Sequence, residues 1–283
     1  QENDVLIYTI DEKNHSEVTK RYFIKLDEDD VAIAVELELD ESGNYNIKPM
    51  DESLPKMFCD FPLLGSETFG LPFVINSPHF NPTEPRDGIF LGDNDTKETN
   101  ENKALMLKGV EMYGRLLDLC SGNKYGSLYN LAKIHKPKEY DWFDKLWVRD
   151  NIHSVIKEML LTTPIIRNIV GDLVPAKNQA GDICVFVPAA KSAEIRLSLY
   201  HLLTNLNYDP ISPYTLPAIE ELPEWISILR DSEFTIDILE LSEMIARTLT
   251  VSGLEEMMLN PCPTSWLNDY YELLKSDDTI SAQ

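Results

Sequence analysis

Residues 31–40, VAIAVELELD, alternate strictly between two sets of side chains, and this alternation restricts the fold more than any other feature. One set is wholly aliphatic: Val31, Ile33, Val35, Leu37 and Leu39. The other set mixes alanine with carboxylates. Because a strand points successive side chains to opposite faces of a sheet, the pattern predicts a strand with one buried face. Residues 5–10 and 21–26 predict two more strands, so we expect an antiparallel meander at the start of the chain.

The segment 61–91 is apolar and interrupted by Pro and Gly, and it contains one basic residue, Arg86. Its residues 71–76, LPFVIN, predict a buried strand. Three prolines follow, Pro78, Pro82 and Pro85, and they exclude regular structure there because proline removes a donor and restricts its neighbour. Beyond a polar loop, apolar residues recur at helical spacing and predict a helix over residues 103–120.

The second half of the chain alternates helical patterns with short strands, and its character changes near residues 134–142. The sequence therefore predicts an α+β protein with a domain over residues 1–133 and a mainly helical, mixed α/β domain over residues 134–283.

Charge excludes some partners. The chain has 25 Lys and Arg against 48 Asp and Glu, a net charge of -23. Such a field repels nucleic-acid phosphates and anionic lipid, so neither nucleic acid nor membrane is an expected partner. The start of the chain lacks the features of a signal peptide, and no apolar run approaches the ~20 residues of a membrane span, which together favour a cytoplasmic protein.

Cysteine and histidine spacing predicts no metal site. The four cysteines lie far apart and form no CxxC pair, and the five histidines share no ligand spacing. The chain begins with Gln1 rather than methionine, so we expect it to be a piece of a longer polypeptide.

Motifs of self-contained catalysis are missing from the sequence. It contains no GxSxG, HExxH or GxGxxG, and no GxxxxGK followed by Ser or Thr. Arg86 stands out instead, with two interpretations. It could pair with Glu84, Asp87 or a backbone carbonyl and shape its own loop. Alternatively, its guanidinium could bind two oxygens of a phosphate, and the nearby Asn76 and Asn81 could add hydrogen bonds to it.

The segment FPLLGSETFGLPFVINSPHFNPTEPRDGIFL, residues 61–91, resembles a region of the sacsin-like ATPases. These proteins have a nucleotide-binding domain of the GHKL class, like the ninety-kilodalton heat-shock chaperone and MutL, and the similar segment follows that domain. Residues 160–166, 181–188 and 266–274 also look like parts of bacterial members.

The resemblance implies a role without catalysis in this chain itself. A GHKL nucleotide site needs an Asn on a helix, a DxGxG motif and a glycine-rich lid, which this sequence lacks. The chain would be the middle, transducer-like region: a strand-rich α/β module with a crossover helix. ATP and Mg²⁺ would belong to an N-terminal ATPase domain of the same polypeptide. Arg86 would reach the γ-phosphate held by that domain, which would make it a catalytic contact between domains.

Two alternatives to this coupling module stay open. The first is a stand-alone acidic interaction domain that binds a protein client through its helical half, since only Arg230, Arg247 and Lys275 are basic after Glu221. An acidic surface that simply faces water is the plainer explanation of that charge. The second alternative is an enzyme whose pocket the sequence does not reveal.

Overall fold

A computed structural model describes residues 7–14, 17–138, 140–206, 214–248, 250–259 and 262–276. The contacts divide the chain into unit 1, Gln1–Ile165, and unit 2, Ile166–Gln283. Both units contain helices and strands, and the predicted α+β class is confirmed.

Seven strands form the sheet of unit 1. In chain order they are β1 (Ile7–Asn14), β2 (Glu17–Glu28), β3 (Val31–Leu39), β4 (Tyr45–Ile47), β5 (Met57–Cys59), β6 (Phe61–Pro62) and β7 (Val74–Asn76). Their order across the sheet is β1-β2-β3-β7-β5-β6, and β4 also pairs with β3. Among the described strands of this sheet, β5 and β7 run parallel and the other pairs are antiparallel. The meander predicted at the start of the chain is therefore present as β1 to β4, while residues 5 and 6 of the first predicted strand lie outside the described residues.

Strand β3 is half-buried, as its alternation predicts. Val31, Ile33, Val35 and Leu37 are buried. On the opposite face, Glu36 lies within 2.8 Å of Arg21 and 2.9 Å of Lys48. One side of the central strand therefore builds the core, while Glu36 on the other side forms ion pairs.

Helix α1 (Lys97–Gly122) extends the predicted helix by about two turns at its start. Thr96 begins it by accepting a hydrogen bond from the Thr99 N–H. The helix packs closely on the sheet, since a Cβ on Gly109 would lie 2.2 Å from Cδ1 of Ile75. However, α1 follows β7, and the parallel strands β5 and β7 are joined by β6 and a 3-10 turn at Ser66–Phe69. The predicted crossover helix therefore covers the sheet without connecting its parallel strands.

The rest of unit 1 folds back on α1. A 3-10 turn (Leu128–Asn130) leads to α2 (Lys145–Val148), a π-helical segment (Arg149–His153) and α3 (Ser154–Thr162). Tyr113 Oη donates to the Leu131 carbonyl over 2.6 Å, and Ser121 Oγ donates to the Pro164 carbonyl over 2.6 Å. The Ser121 contact attaches a residue well beyond 134 to α1, and unit 1 extends to Ile165. The domain boundary that the sequence predicts after residue 133 stays a prediction.

Unit 2 is mainly helical. Its helices are α4 (Ala193–Thr204), α5 (Leu222–Ile228), α6 (Ile238–Thr248), α7 (Val251–Glu256) and α8 (Pro263–Ser276). Strand β8 (Ile166–Arg167) pairs with β9 (Leu173–Val174), and β10 (Val187–Pro188) pairs in parallel with β11 (Thr235–Ile236). Trp266 and Leu202 contribute to one apolar core between these helices, where Trp266 Nε1 donates to the Leu202 carbonyl over 3.0 Å.

Candidate functional site

Arg86 lies on a short turn between two residues that bridge like a hairpin, Pro82 and Ile89. The Arg86 N–H donates to the Thr83 carbonyl over 2.9 Å, and the Thr83 N–H donates to the Gly88 carbonyl over 3.0 Å. Arg86 itself has a φ of 56°, in the left-handed region that a residue other than glycine seldom adopts. The turn is thus closed by backbone hydrogen bonds on both sides of the arginine.

Two side chains lock the same turn from inside. Thr83 is buried, and its Oγ1 donates to Oδ1 of Asp87 over 2.6 Å. The Asp87 N–H donates back to Thr83 Oγ1 over 3.2 Å. The carboxylate that was a possible partner of Arg86 is therefore engaged with Thr83.

The Arg86 side chain is exposed, and its guanidinium makes no hydrogen bond or ion pair with any residue that the structure describes. The other three arginines of unit 1 each face a carboxylate. Arg21 pairs with Glu36, Arg115 with Glu28, and Arg149 with Asp150. The pairing of Arg86 with Glu84, Asp87 or a carbonyl, one of the two interpretations of the sequence, is not found in this structure. Its donors face solvent.

Two other basic residues of unit 1 are paired, unlike Arg86, because both contact one carboxylate, that of Glu28. Lys108 and Arg115, about two helical turns apart on α1, both contact the Glu28 carboxylate. Hydrogen bonds from Lys108 and then Arg115 lower the pKa of Glu28 below its usual value. This cluster ties α1 to the end of β2, whereas the Arg86 side chain ties no two elements together.

The side chains of Asn76 and Asn81, the other two predicted site residues, make hydrogen bonds with other residues of unit 1. Asn76 Oδ1 accepts a hydrogen bond from the Asp60 N–H over 3.1 Å, and Asn81 Nδ2 donates to Glu101 Oε2 over 3.2 Å. Neither is hydrogen-bonded to Arg86 in the described contacts. Their described hydrogen bonds therefore hold other parts of unit 1 and do not link the two amides to the Arg86 guanidinium.

Asn102 is a residue that the sequence analysis missed. It is fully buried on α1, where its Nδ2 donates to the carbonyls of Asn81 (2.9 Å) and Phe90 (3.1 Å). Its Oδ1 accepts from the Asn81 N–H over 2.8 Å. One amide thus clamps both ends of the Arg86 turn to the helix. A sequence signal existed, since Asn102 precedes Met106 by four residues on the apolar face of α1.

A second turn lies against the first. Gly65, with a φ of 123°, approaches Asp87 so closely that a Cβ there would lie 2.7 Å from Cβ of Asp87. Ser66 is fully buried and fixes this turn, accepting the N–H groups of Lys56 and Met57 over 3.1 Å each and donating to the Leu63 carbonyl over 2.8 Å. The two turns are therefore in contact, and hydrogen bonds of a buried hydroxyl fix each of them.

Two large apolar side chains beside these turns face solvent: Phe61 is 70% exposed and Leu64 is 68% exposed. They are the most exposed large hydrophobic residues among those described in unit 1. We define Phe61, Leu64 and Arg86 as the Arg86 surface. It combines one unpaired cation with two uncovered apolar groups on an otherwise acidic chain.

An aromatic cluster holds the base of this surface. Phe69 stacks on Trp142 with ring centroids 5.5 Å apart and meets Phe143 edge-on at 5.6 Å. The Trp142 ring also covers Gly88, where a Cβ would come within 2.3 Å of it. His153 packs beside Phe69, and burial of its ring lowers its pKa, although a hydrogen bond with the Phe69 backbone acts in the opposite direction. The Nε2 atom of His153 and the Nε1 atom of Trp142 are buried without a partner among the described groups.

Within the described ranges, no group of three or more His, Cys, Asp or Glu side chains is placed to hold a metal ion. None of the described helices is long and apolar enough to cross a membrane.

Comparisons with protein-family models, with curated proteins and with solved structures found no match to this chain.

Proposed function

We propose that this chain is the non-catalytic middle region of a sacsin-like ATPase of the GHKL class. In this role it would couple the nucleotide state of an N-terminal ATPase domain to conformational change or to the binding of a protein client. The observation that carries the proposal is the exposed, unpaired guanidinium of Arg86 on a turn that Thr83 and Asp87 hold in place. The resemblance of residues 61–91 to the sacsin-like proteins supplies the partner.

Physical chemistry favours a phosphate as the anion. A guanidinium presents donors in a planar fork that matches two phosphate oxygens at once. Because the turn is already closed, little backbone freedom is lost when the contact forms. The left-handed conformation of Arg86 has a cost of order 1–3 kcal/mol, which the closed turn sustains.

The neighbouring domain would hold the nucleotide. ATP with Mg²⁺ is the cofactor of the whole polypeptide on this proposal, and this chain contributes a cation to a site completed elsewhere. In GTPases, an arginine that stabilises the transferring phosphate contributes about 10³-fold or more to the rate. The sheet and α1 serve as the rigid support that sets the position of Arg86.

ATP turnover by the full-length protein tests the proposal. Arg86→Ala should lower kcat by about 10³-fold if the guanidinium contacts the γ-phosphate in the transition state. Arg86→Lys keeps the charge without the fork and should recover only part of the loss. Arg230→Ala removes another exposed arginine without a described partner and should leave turnover unchanged. Equal turnover in all of these variants leaves the stand-alone interaction domain as the better account.

A further inference from the structure

Unit 2 contains a groove of about 660 Å³ between its helices α4 and α8, which we call the α4–α8 groove. One wall is the face of α4 that carries Ser198, His201 and Asn205, at positions i, i+3 and i+7. The other wall is the face of α8 that carries Asp269 and Glu272. Ligand-binding pockets have volumes of about 300–1,000 Å³, so the groove is large enough to take several side chains of a bound segment.

The floor of the α4–α8 groove is apolar and held in place. Leu202, Trp266 and Leu273 line it, and all three are buried. Trp266 Nε1 donates to the Leu202 carbonyl over 3.0 Å, and the Trp266 ring stacks on Tyr270 with ring centroids 5.6 Å apart. Because these contacts already order the floor, a bound segment does not have to order it, and this lowers the entropic cost of binding.

The carboxylates of the α4–α8 groove meet little positive charge. Asp269 and Glu272 line it, and the described lining residues include no Lys or Arg. Glu272 contacts Lys275 over 2.6 Å, but both side chains are largely exposed, so this pair contributes little. Asp269 makes no hydrogen bond or ion pair with any residue that the structure describes. The groove thus offers a carboxylate that a cation from outside can reach.

Charge decides what kind of occupant fits. Residues 166–283 contain seven Lys and Arg against eighteen Asp and Glu, and such a field attracts cations and repels anions. Lys and Arg lay their alkyl stems on apolar surface while their charged heads stay at the polar rim, which matches an apolar floor below two carboxylates. Since exposed ion pairs contribute little by themselves, burial of the stems supplies the adhesion and the carboxylates select the cation.

From this we infer that the α4–α8 groove binds a basic helical segment of a partner protein. Its Lys or Arg stems cover the floor, and their heads pair with Asp269 and Glu272. These two carboxylates are three residues apart on one face of α8, so basic residues three or four apart on the bound helix can meet both. A helix laid in a groove is a recurring mode of peptide recognition. The inference is independent of the proposed function, because it involves neither Arg86 nor a nucleotide.

Cys262 also lines the groove, and its exposed thiol can report whether the groove is occupied. The probe is a short synthetic peptide of leucine and lysine at helical spacing, and the control peptide has glutamate in place of lysine. The chain is alkylated with iodoacetamide at pH 8, and mass spectrometry follows each cysteine separately. With the Leu/Lys peptide about tenfold above its dissociation constant, alkylation of Cys262 should slow about tenfold, because only the free groove reacts. Alkylation of Cys59, which lies on β5 in unit 1, should be unchanged, and the Leu/Glu peptide should slow neither thiol.

Paired substitutions separate this groove from a general attraction to an acidic chain. Asp269→Asn combined with Glu272→Gln should lower the affinity for the Leu/Lys peptide by at least about tenfold. Glu255→Gln combined with Glu256→Gln removes the same charge from exposed positions of α7 that do not line the groove. This control should change the affinity by less than about twofold. Ser198→Trp fills the groove without changing its charge and should lower the affinity by at least about tenfold.

Several results would overturn the inference. One is an equal loss of affinity in the two double variants, and another is full binding by Ser198→Trp. Protection of Cys262 by the Leu/Glu peptide would overturn it as well. So would protection by spermidine as strong as that by the Leu/Lys peptide, because a small polyamine would then be enough to fill the groove. Circular dichroism checks the fold of each variant, and either groove variant decides the matter if the other fails to fold.

Discussion

Gly65 and Asp87 lie in direct contact, at 2.7 Å between Cβ of Asp87 and the position that a Cβ on Gly65 would occupy. The Asp87 carbonyl oxygen lies 2.9 Å from the same position. This contact joins the turn of Leu64 to the turn of Arg86, so the geometry of the Arg86 surface depends on a residue without a side chain.

Gly65→Ala should therefore destabilise unit 1 by about 2–4 kcal/mol, because it adds a steric overlap to a backbone strain of order 1–3 kcal/mol. Urea denaturation of the chain, followed by circular dichroism, measures the change. Gly43→Ala is the matched control, since Gly43 has a φ of 81° and nothing lies within 4 Å of the position that its Cβ would take. Equal losses in the two variants would show that the contact with Asp87 contributes nothing.

Asn102→Ala should cost about 2–4 kcal/mol of unfolding free energy. It removes three hydrogen bonds from a fully buried amide, and the part-buried Asn81 N–H and Phe90 carbonyl lose this partner, while the Asn81 carbonyl keeps the Phe90 N–H. A buried polar group left without a partner costs roughly 1–3 kcal/mol. Asn100→Ala, an exposed position on the same helix, should change stability by less than about 0.5 kcal/mol. The prediction is wrong if the two variants have the same midpoint in urea.

Stability should fall on acidification because of His153. Burial lowers the pKa of His153 from its ordinary value of 6.5, so the unfolded chain binds this proton more readily than the folded chain. The free energy of unfolding is then greatest above pH 6.5 and decreases as the pH falls through the unfolded value, by at most about 1.4 kcal/mol per pH unit.

The variant His153→Gln should flatten this pH dependence between pH 7.5 and pH 5, whatever its own stability at neutral pH. His201→Gln, at an exposed histidine of α4, should keep the slope of the parent. The urea midpoint of each variant is measured across this pH range. If the midpoint changes with pH as steeply in His153→Gln as in the parent, His153 is not the cause of the pH dependence.

The thiols should differ strongly in reactivity. Burial raises the pKa of Cys120 to about 12, while Cys262 is exposed, so only a negligible fraction of Cys120 is thiolate at pH 8. With an aromatic disulfide reagent at pH 8, Cys262→Ser should lose a fast phase and Cys120→Ser should lose a phase that appears only in denaturant. A native fast phase that disappears in Cys120→Ser contradicts the burial of that residue in the core of α1.

The spacing of apolar residues predicted several strands and helices of this fold. The features that this spacing did not predict depend on contacts between residues far apart in the sequence. The alternation in β3 and the helical spacing in α1 were confirmed because each follows from local geometry. The strand expected at residues 71–76 is shorter, Val74–Asn76, although Leu71, Phe73 and Ile75 are all buried as expected. Burial here is set by packing against α1, and periodicity cannot separate a strand from a buried extended loop.

The candidate site was predicted only in part. The prolines and the lone basic residue indicated a turn around Arg86, and the turn is there. The clamp at Asn102 and the contact of Gly65 with Asp87 join residues about twenty positions apart, and no local pattern reports such a contact.

At α8 a local rule misleads: Ser265 is a residue type that favours the position before a helix, but the helix begins at Pro263, which is well suited to a first turn.

The central claim is that Arg86 contacts the terminal phosphate of a nucleotide held by a neighbouring domain, and nucleotide affinity tests it most directly. Calorimetric titration of the full-length protein compares a non-hydrolysable ATP analogue with ADP in the parent, in Arg86→Ala and in Arg230→Ala. We expect Arg86→Ala to weaken binding of the ATP analogue by about tenfold or more and to change the affinity for ADP by less than about twofold, whereas Arg230→Ala should change neither affinity. Equal affinities of the parent and Arg86→Ala for the ATP analogue would contradict it.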